Sequence, residues 1–544
     1  MNIGIILAYM PGTKLGSEGL GRYIGNLIKG FTDDHNSVTI VCPIWLEESL
    51  YDIFEDFHVS KDLVEISISQ NTPILWRLYE YKFKSKEKFK WKNYVYRGLS
   101  DIIDISISFL LEITSTFLFV LLNILIIAII LTLFPLVIAA TVLFILIILV
   151  RNLFHKNING MKSIFDNVNI IHQNFSKTKE NIEVFAYYEL NKQTVLRIVQ
   201  KANSKNVDVW FVPTLFWPDA VKIKATTVFT VPDLVTTEFP YPFAGSPGSV
   251  KQTKTCISTV ERGKYFITYG DFIKRDVLQK RYGKDDEHVI SISHVNNTSL
   301  PYLQITNKDV FHCTSIVDVQ NTFNRELLKR LPKYSVEKDF LEGMDFDNVK
   351  YIFYASQQRP HKNILNLLRA YEYLLREKEV EFKLFLTCDL QSDIGLSSFI
   401  QNHHLQHHVI SFQRVPVQLL SALYACAELV VSPTLYEGAF LTFTIGEGMS
   451  VGTPCIMGRI PQVTDMIPKV YPLDHILFDP LNYLDIAHHI MYGIENKEKL
   501  YQDELPMYKD IEARTGEIVS RDYVEAFKKF ILMDKEETSI HDNK

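Results

Sequence analysis

From Phe109 to Val150 the chain runs for 42 residues in which Glu112, Asn123 and Pro135 are the only charged, amide or imino members. As a single helix this stretch would extend about 63 Å at 1.5 Å per residue, roughly twice the hydrocarbon thickness of a bilayer. Two passes fit better, broken at "LTLFP", Leu131 to Pro135. A water-soluble core has no place for so long an apolar run, so the segment predicts membrane insertion. Lys82, Lys84, Lys86, Lys88, Lys90, Lys92 and Arg97 precede it, and Arg151, Lys156 and Lys162 follow. An excess of cations on both flanks keeps both ends in the cytoplasm, which makes residues 82–162 a basic flank plus a helical hairpin and predicts localisation at the cytoplasmic face of a membrane. Phe83, Phe89 and Trp91 interleave with the lysines. Such a pattern can bind single-stranded nucleic acid, but beside a membrane segment anionic headgroups are the simpler partner, at about 1 kcal/mol per lysine.

The remainder reads as soluble. A chain of 544 residues accommodates two or three domains, and a net charge of -6 exerts no global pull toward nucleic acid. Cys42, Cys256, Cys313, Cys388, Cys426 and Cys455 are scattered among apolar residues without a paired spacing, as reduced core thiols are. "MNIGIILAYMPG" lacks a basic leader and reads as a first buried strand, so Asn174 and Asn296 are not expected to carry glycans.

Outside the insertion, strand-like and helix-like pieces alternate. "IGIILAY", "SVTIVCP", "VDVWFVP", "ATTVFTVPD", "KYFITYG" and "HVISISH" form one series. "VKYIFYA", "FKLFLTCD", "HVISF", "ELVVSP" and "GTPCIMG" form a second, with helices such as "NILNLLRAYEYLLRE" between them. The pattern predicts an α/β chain of two doubly wound, Rossmann-like domains facing a cleft. The first would hold residues 1–81 and 163–330, and the second 331–520, the boundary falling near the charged stretch 327–339. Residues 521–544 would form a C-terminal helix and tail returning to the first domain.

In open α/β sheets ligands collect at the carboxyl ends of the strands. Three loops there stand out. "GSEGLGR", with Gly19 and Gly21, follows the first strand and opens a helix, where glycines let backbone approach a phosphate. "ASQQRPHKN" presents Arg359 and Lys362 just before a long helix, a place where cations oppose the macrodipole unless an anion sits between them. "LYEGAFLTFTIGEGMSVGTPC" carries two acids, Glu437 and Glu447, on the rim of a neutral run. Carboxylates accept from sugar hydroxyls, while cations and free amides meet phosphates. Together the loops predict a nucleotide-sugar site.

"YASQQRPHKNILNLLRAYEYL" and "SPTLYEG…E…GTP", with "TVFTVPDLVTTEFPYPF" and "FITYGDFIKRDVLQKRYG" more faintly, resemble the retaining glycosyltransferases of family 4, the glycosyltransferase group 1 domain of GT-B fold. The resemblance covers most of the chain outside residues 50–165. It implies that Arg359 and Lys362 hold the donor diphosphate, that Glu437 faces the donor sugar and phosphate, and that Glu447 binds the ribose. The backbone of Leu441, Thr442, Phe443 and Thr444 would cap the phosphates. It also implies transfer of a hexose-type sugar, with retention and without a divalent metal or other cofactor, to a glycolipid, lipid-linked or oligosaccharide acceptor.

Two departures stand against this pattern. The two glutamates are ten residues apart rather than the family's eight. Pro232-Asp233 replaces the family's His-Asp, and His172 is a weak substitute for that histidine. The histidines His403, His404, His407 and His408 invite a metal but fall in a surface loop leading into a strand. Two other readings remain: a non-hydrolysing sugar-nucleotide epimerase of the same fold, and an inactive membrane-bound sugar-nucleotide binder.

Overall fold

The computed structural model describes residues 1–13, 15, 19–73, 124, 188–239, 247–293, 316–438, 443–464 and 473–542. Apart from Ile124, the apolar run and its basic flanks lie outside these residues, as does His172. Among the described residues no helix is long and apolar enough to cross a membrane.

Two parallel sheets organise the chain. The first holds seven strands in the order β3-β2-β1-β4-β5-β6-β7. These are β1 (Asn2–Ile6), β2 (Ser37–Cys42), β3 (Val64–Ile68), β4 (Val209–Val212), β5 (Thr227–Val231), β6 (Tyr265–Thr268) and β7 (Val289–Ser291). The second holds six, β10-β9-β8-β11-β12-β13. They are β8 (Tyr351–Tyr354), β9 (Lys383–Leu386), β10 (Val409–Ser411), β11 (Leu429–Ser432), β12 (Cys455–Gly458) and β13 (Leu477–Phe478). Most central strands are continuous apolar runs buried on both faces, because helices cover both sides of a parallel sheet. Strand order reverses between β1 and β4 in one sheet and between β8 and β11 in the other. Those reversals open a crevice at the strand carboxyl ends.

The charged stretch 327–339 is not a bare linker. Helix Ile316–Leu328 and the turn after it place Leu327, Leu328 and Leu331 in the second core. The chain therefore enters the second domain before that stretch. At the far end, helix Gly516–Asp542 leaves the second domain and packs on helix Gly19–Asp33 of the first. Val519, Tyr523, Phe527 and Phe530 belong to the first core, with Phe530 stacked on Tyr265 at 4.6 Å. The five described cysteines are buried and unbridged.

Candidate active site

The switch point of the second sheet lies between the loop after β8 and the loop after β11. Arg359 stands exposed on the first of these loops, ahead of a 3₁₀ turn, Pro360–Lys362. Lys362 reaches across to Glu437 on the second loop, with Nζ to Oε1 at 2.6 Å and side chains 20% and 16% exposed. A pair this shielded is screened less than a surface ion pair.

Asn363 fixes the turn. It sits in the left-handed region at φ 56°, a conformation asparagine tolerates better than most residues. Its Nδ2 donates to the carbonyls of Pro433 (2.9 Å) and Pro480 (2.7 Å), joining the loops after β8, β11 and β13. His361 is buried behind the two cations, and its carbonyl accepts from the Leu435 N–H at 2.8 Å. Burial first, then Lys362 and Arg359, lower its pKa to about 3, so the ring is neutral at physiological pH.

Helix Phe443–Ser450 starts at the same point. Thr444 Oγ1 donates to the Ala355 carbonyl at 3.0 Å, docking the helix start against the loop that carries Arg359. Leu441 and Thr442 lie outside the described residues, and Phe443 is the first residue of the helix. Glu447 is not on the rim. It is only 5% exposed, because the second turn of this helix is packed between β11 and β12, and its carboxylate lies beside the buried Tyr424 phenol. The rim thus carries one acid of the two expected there.

The first domain supplies the opposite wall. Asp233 follows β5, and its Oδ1 accepts from the Val235 N–H at 3.3 Å. Water reaches its open side, while protein crowds the remainder. That crowding raises its carboxyl above the ordinary range and Glu437 adds to the rise, against the Val235 N–H and the cations Arg359 and Lys362. Charges from both domains therefore meet in one cleft.

Gly19 and Gly21 are the first and third residues of their helix. A Cβ on Gly21 would stand 1.7 Å from the Leu15 carbonyl oxygen, so this glycine is demanded by close packing of the preceding loop. No group of three or more His, Cys, Asp or Glu side chains suited to a metal occurs among the described residues. In the histidine loop, His403 pairs with Glu372 (2.5 Å) and His407 with Glu337 (3.0 Å). Asp233, Asn363 and His361 were not read from the sequence as site residues. Local signals existed for two of them: "HKN", an asparagine between a turn and a helix, and Pro232-Asp233, which stands where the resemblance has His-Asp.

Residues 337–504 match the family model described as Glycosyl transferases group 1. A curated relative, O-antigen chain mannosyltransferase B of Escherichia coli, is 28% identical over 148 residues, 27% of this chain and 37% of the relative. Among solved structures, Anabaena HepE in complex with UDP and glucose superposes with a TM-score of 0.52 at 11% identity, covering 97% of this chain and 99% of that one. The same protein with UDP-glucose gives 0.50 at 11% identity, covering 98% and 100%. At such identities the likeness is one of fold, and the fold is that of the GT-B glycosyltransferases. The second half carries a glycosyltransferase group 1 domain, the domain of a transferase enzyme.

Proposed function

We propose that the chain is a membrane-associated, retaining glycosyltransferase. It moves a hexose-type sugar from a nucleotide diphosphate sugar to a lipid-linked or saccharide acceptor at the cytoplasmic leaflet. The observation that carries this reading is the meeting of Arg359, Lys362 and Glu437, at the switch point of the second sheet, with Asp233 on the loop after β5 of the first. The group 1 match over residues 337–504 supports the reaction class.

In this reading Lys362 exchanges partners. Without donor, Glu437 is its counterion. A donor diphosphate competes for Lys362 and Arg359, which releases Glu437 to accept from sugar hydroxyls. As the bond to the leaving diphosphate breaks, the charge gathering on it is stabilised by these cations and by amides at the start of helix Phe443–Ser450. Glu447 keeps the ribose contact that the resemblance implies, although it lies below the rim. The reaction so drawn needs no divalent metal or other cofactor.

The mannosyltransferase relative favours a mannose-type sugar, and the uridine nucleotide in HepE favours a uridine donor; a donor panel separates them. For the membrane, the support is where the insertion joins the fold. The described chain stops at residue 73 and resumes at 188, close to the carboxyl ends of β3 and β1. Gln70 Nε2 donates to Thr194 Oγ1 at 2.6 Å, and Asn191 Nδ2 to the Ala8 carbonyl at 2.9 Å. The described residues on either side of the apolar run in sequence thus lie at the strand carboxyl edge that also bears Asp233.

The test is a panel of nucleotide-activated hexoses incubated with full-length protein and a membrane extract, with and without EDTA. The expected result is a labelled lipid-linked product, of retained anomeric configuration, formed equally in both. Magnesium-reversible loss in EDTA would overturn the metal-free mechanism. Free sugar nucleotide as the sole product would replace transfer by epimerisation.

A further inference from the structure

We infer that Tyr436 is a positioning residue that pins the two domains together and so sets Asp233 of the first against the Lys362–Glu437 pair of the second. The inference rests on the transferase reading and adds to it a residue that contacts neither donor nor acceptor.

Tyr436 belongs by sequence to the second domain, between β11 and Glu437. Yet it is 3% exposed and packs within the core of the first domain. Its ring meets Phe239 edge-on at 6.0 Å, and its hydroxyl accepts from the Leu234 N–H at 3.2 Å. Tyrosine suits this place because it buries a large apolar body while one hydroxyl satisfies a backbone donor that closure would otherwise strand.

From its own side the residue is held rigidly. Thr434 Oγ1 donates to the Tyr436 carbonyl at 2.9 Å and accepts from its N–H at 3.4 Å, both buried. Two residues on, the domains nearly touch. A Cβ on Gly438 would stand 2.0 Å from the Pro232 carbonyl oxygen and 3.1 Å from Asp233 Cβ. Glu437 lies between these two contacts. Closing the cleft and seating Tyr436 are therefore one event, and it fixes the distance from Asp233 to the donor-side charges. A residue with this task leaves donor binding to the second domain and acts on turnover.

The experiment compares full-length wild type with Tyr436→Phe, Tyr436→Ala and Gly438→Ala. Donor affinity is measured by calorimetry with the best donor of the panel, turnover by product formation, and domain closure by small-angle X-ray scattering. Tyr436→Phe keeps the ring and strands one amide, so kcat is expected to fall about tenfold while donor Kd changes less than about threefold. Tyr436→Ala should lose more turnover at the same donor Kd. The added methyl of Gly438→Ala should enlarge the radius of gyration, as should Tyr436→Ala.

Wild-type turnover in Tyr436→Phe, or parallel losses of donor affinity and kcat, would overturn the inference and leave the transferase reading standing. If the wild type neither binds nor transfers any donor, the transferase reading fails instead. The scattering then still decides the pin, because an unchanged radius in Tyr436→Ala and Gly438→Ala would refute it.

Discussion

At Lys362 one ammonium answers two demands, its resting bond to Glu437 and the proposed grip on a diphosphate. Replacing Lys362 or Arg359 by Ala should lower kcat by roughly tenfold to a thousandfold, each change removing a cation that stabilises the negative charge growing on the leaving group. Arg359 is exposed and Lys362 lies on a turn held by Asn363, so circular dichroism should stay that of wild type. Undiminished turnover in the double variant would remove both from the site. These two cations could be read from sequence because they precede a helix, where unpaired positive charge is unfavourable. His361 between them could not, since its burial is tertiary. With its pKa lowered from 6.5 to about 3, the unfolded chain takes up a proton below pH 6.5 that the folded chain refuses. The stability tied to this ring is thus complete above pH 6.5 and is lost as pH falls toward 3. Denaturant unfolding should show about 2 kcal/mol lost between pH 6.5 and 5 from this group. His361→Asn should flatten that slope, and an unchanged slope would refute the assignment.

Among the elements, helix Lys497–Glu512 does more than cover the second sheet. Its Glu504 is fully buried, and both carboxyl oxygens lie within reach of the Cys455 N–H, at 3.2 and 3.0 Å, where β12 begins. Burial pushes this carboxyl well above its ordinary range, because removal from water disfavours the charged form. A raised acid favours the fold most below its ordinary pKa near 4.5, and that contribution is lost as pH rises. Glu504→Gln keeps an acceptor without the ionisation and should equal or exceed wild-type stability at pH 8. Glu504→Leu strands the amide and should cost about 1–3 kcal/mol. Urea unfolding of the two variants checks this, and equal stabilities would show that the bond contributes nothing. The central strands were legible as apolar runs, whereas β3 and β13 were not. Glu65 interrupts "VEISI" at an edge, and β13 is only two residues long, so neither carries a period strong enough to detect.

For the molecule as a whole, the insertion and the cleft have to be judged together. Excising Phe109 to Val150 and joining the ends with a short Gly/Ser linker should give a soluble protein. Its donor Kd should match wild type, because the proposed donor residues Arg359, Lys362 and Glu437 all lie in the second domain. Transfer to a vesicle-embedded acceptor should fall sharply, while slow donor hydrolysis or transfer to a short soluble acceptor persists. Full-rate elongation of the lipid acceptor by the trimmed protein would make the segment an anchor only.

The alternation of apolar strands with amphipathic helices, set by side-chain periods of two and 3.6, was enough to determine two parallel α/β domains. The cations before helix Ile364–Glu377 and the acid of "LYEG" were legible for a similar reason, since their meaning comes from immediate neighbours. Tertiary structure alone decided that Tyr436 enters the core of the other domain, that Asp233 faces Lys362 and Glu437, and that Glu447 is buried. Each of these depends on partners far apart in the chain, as with Tyr436 and Leu234 at a separation of 202 residues. The return of the last helix to the first domain was expected from the sequence; the structure added only its start at Gly516 and its partner, helix Gly19–Asp33. Periodicity tells which face of an element is apolar; only the assembled domains determine which other apolar face covers it.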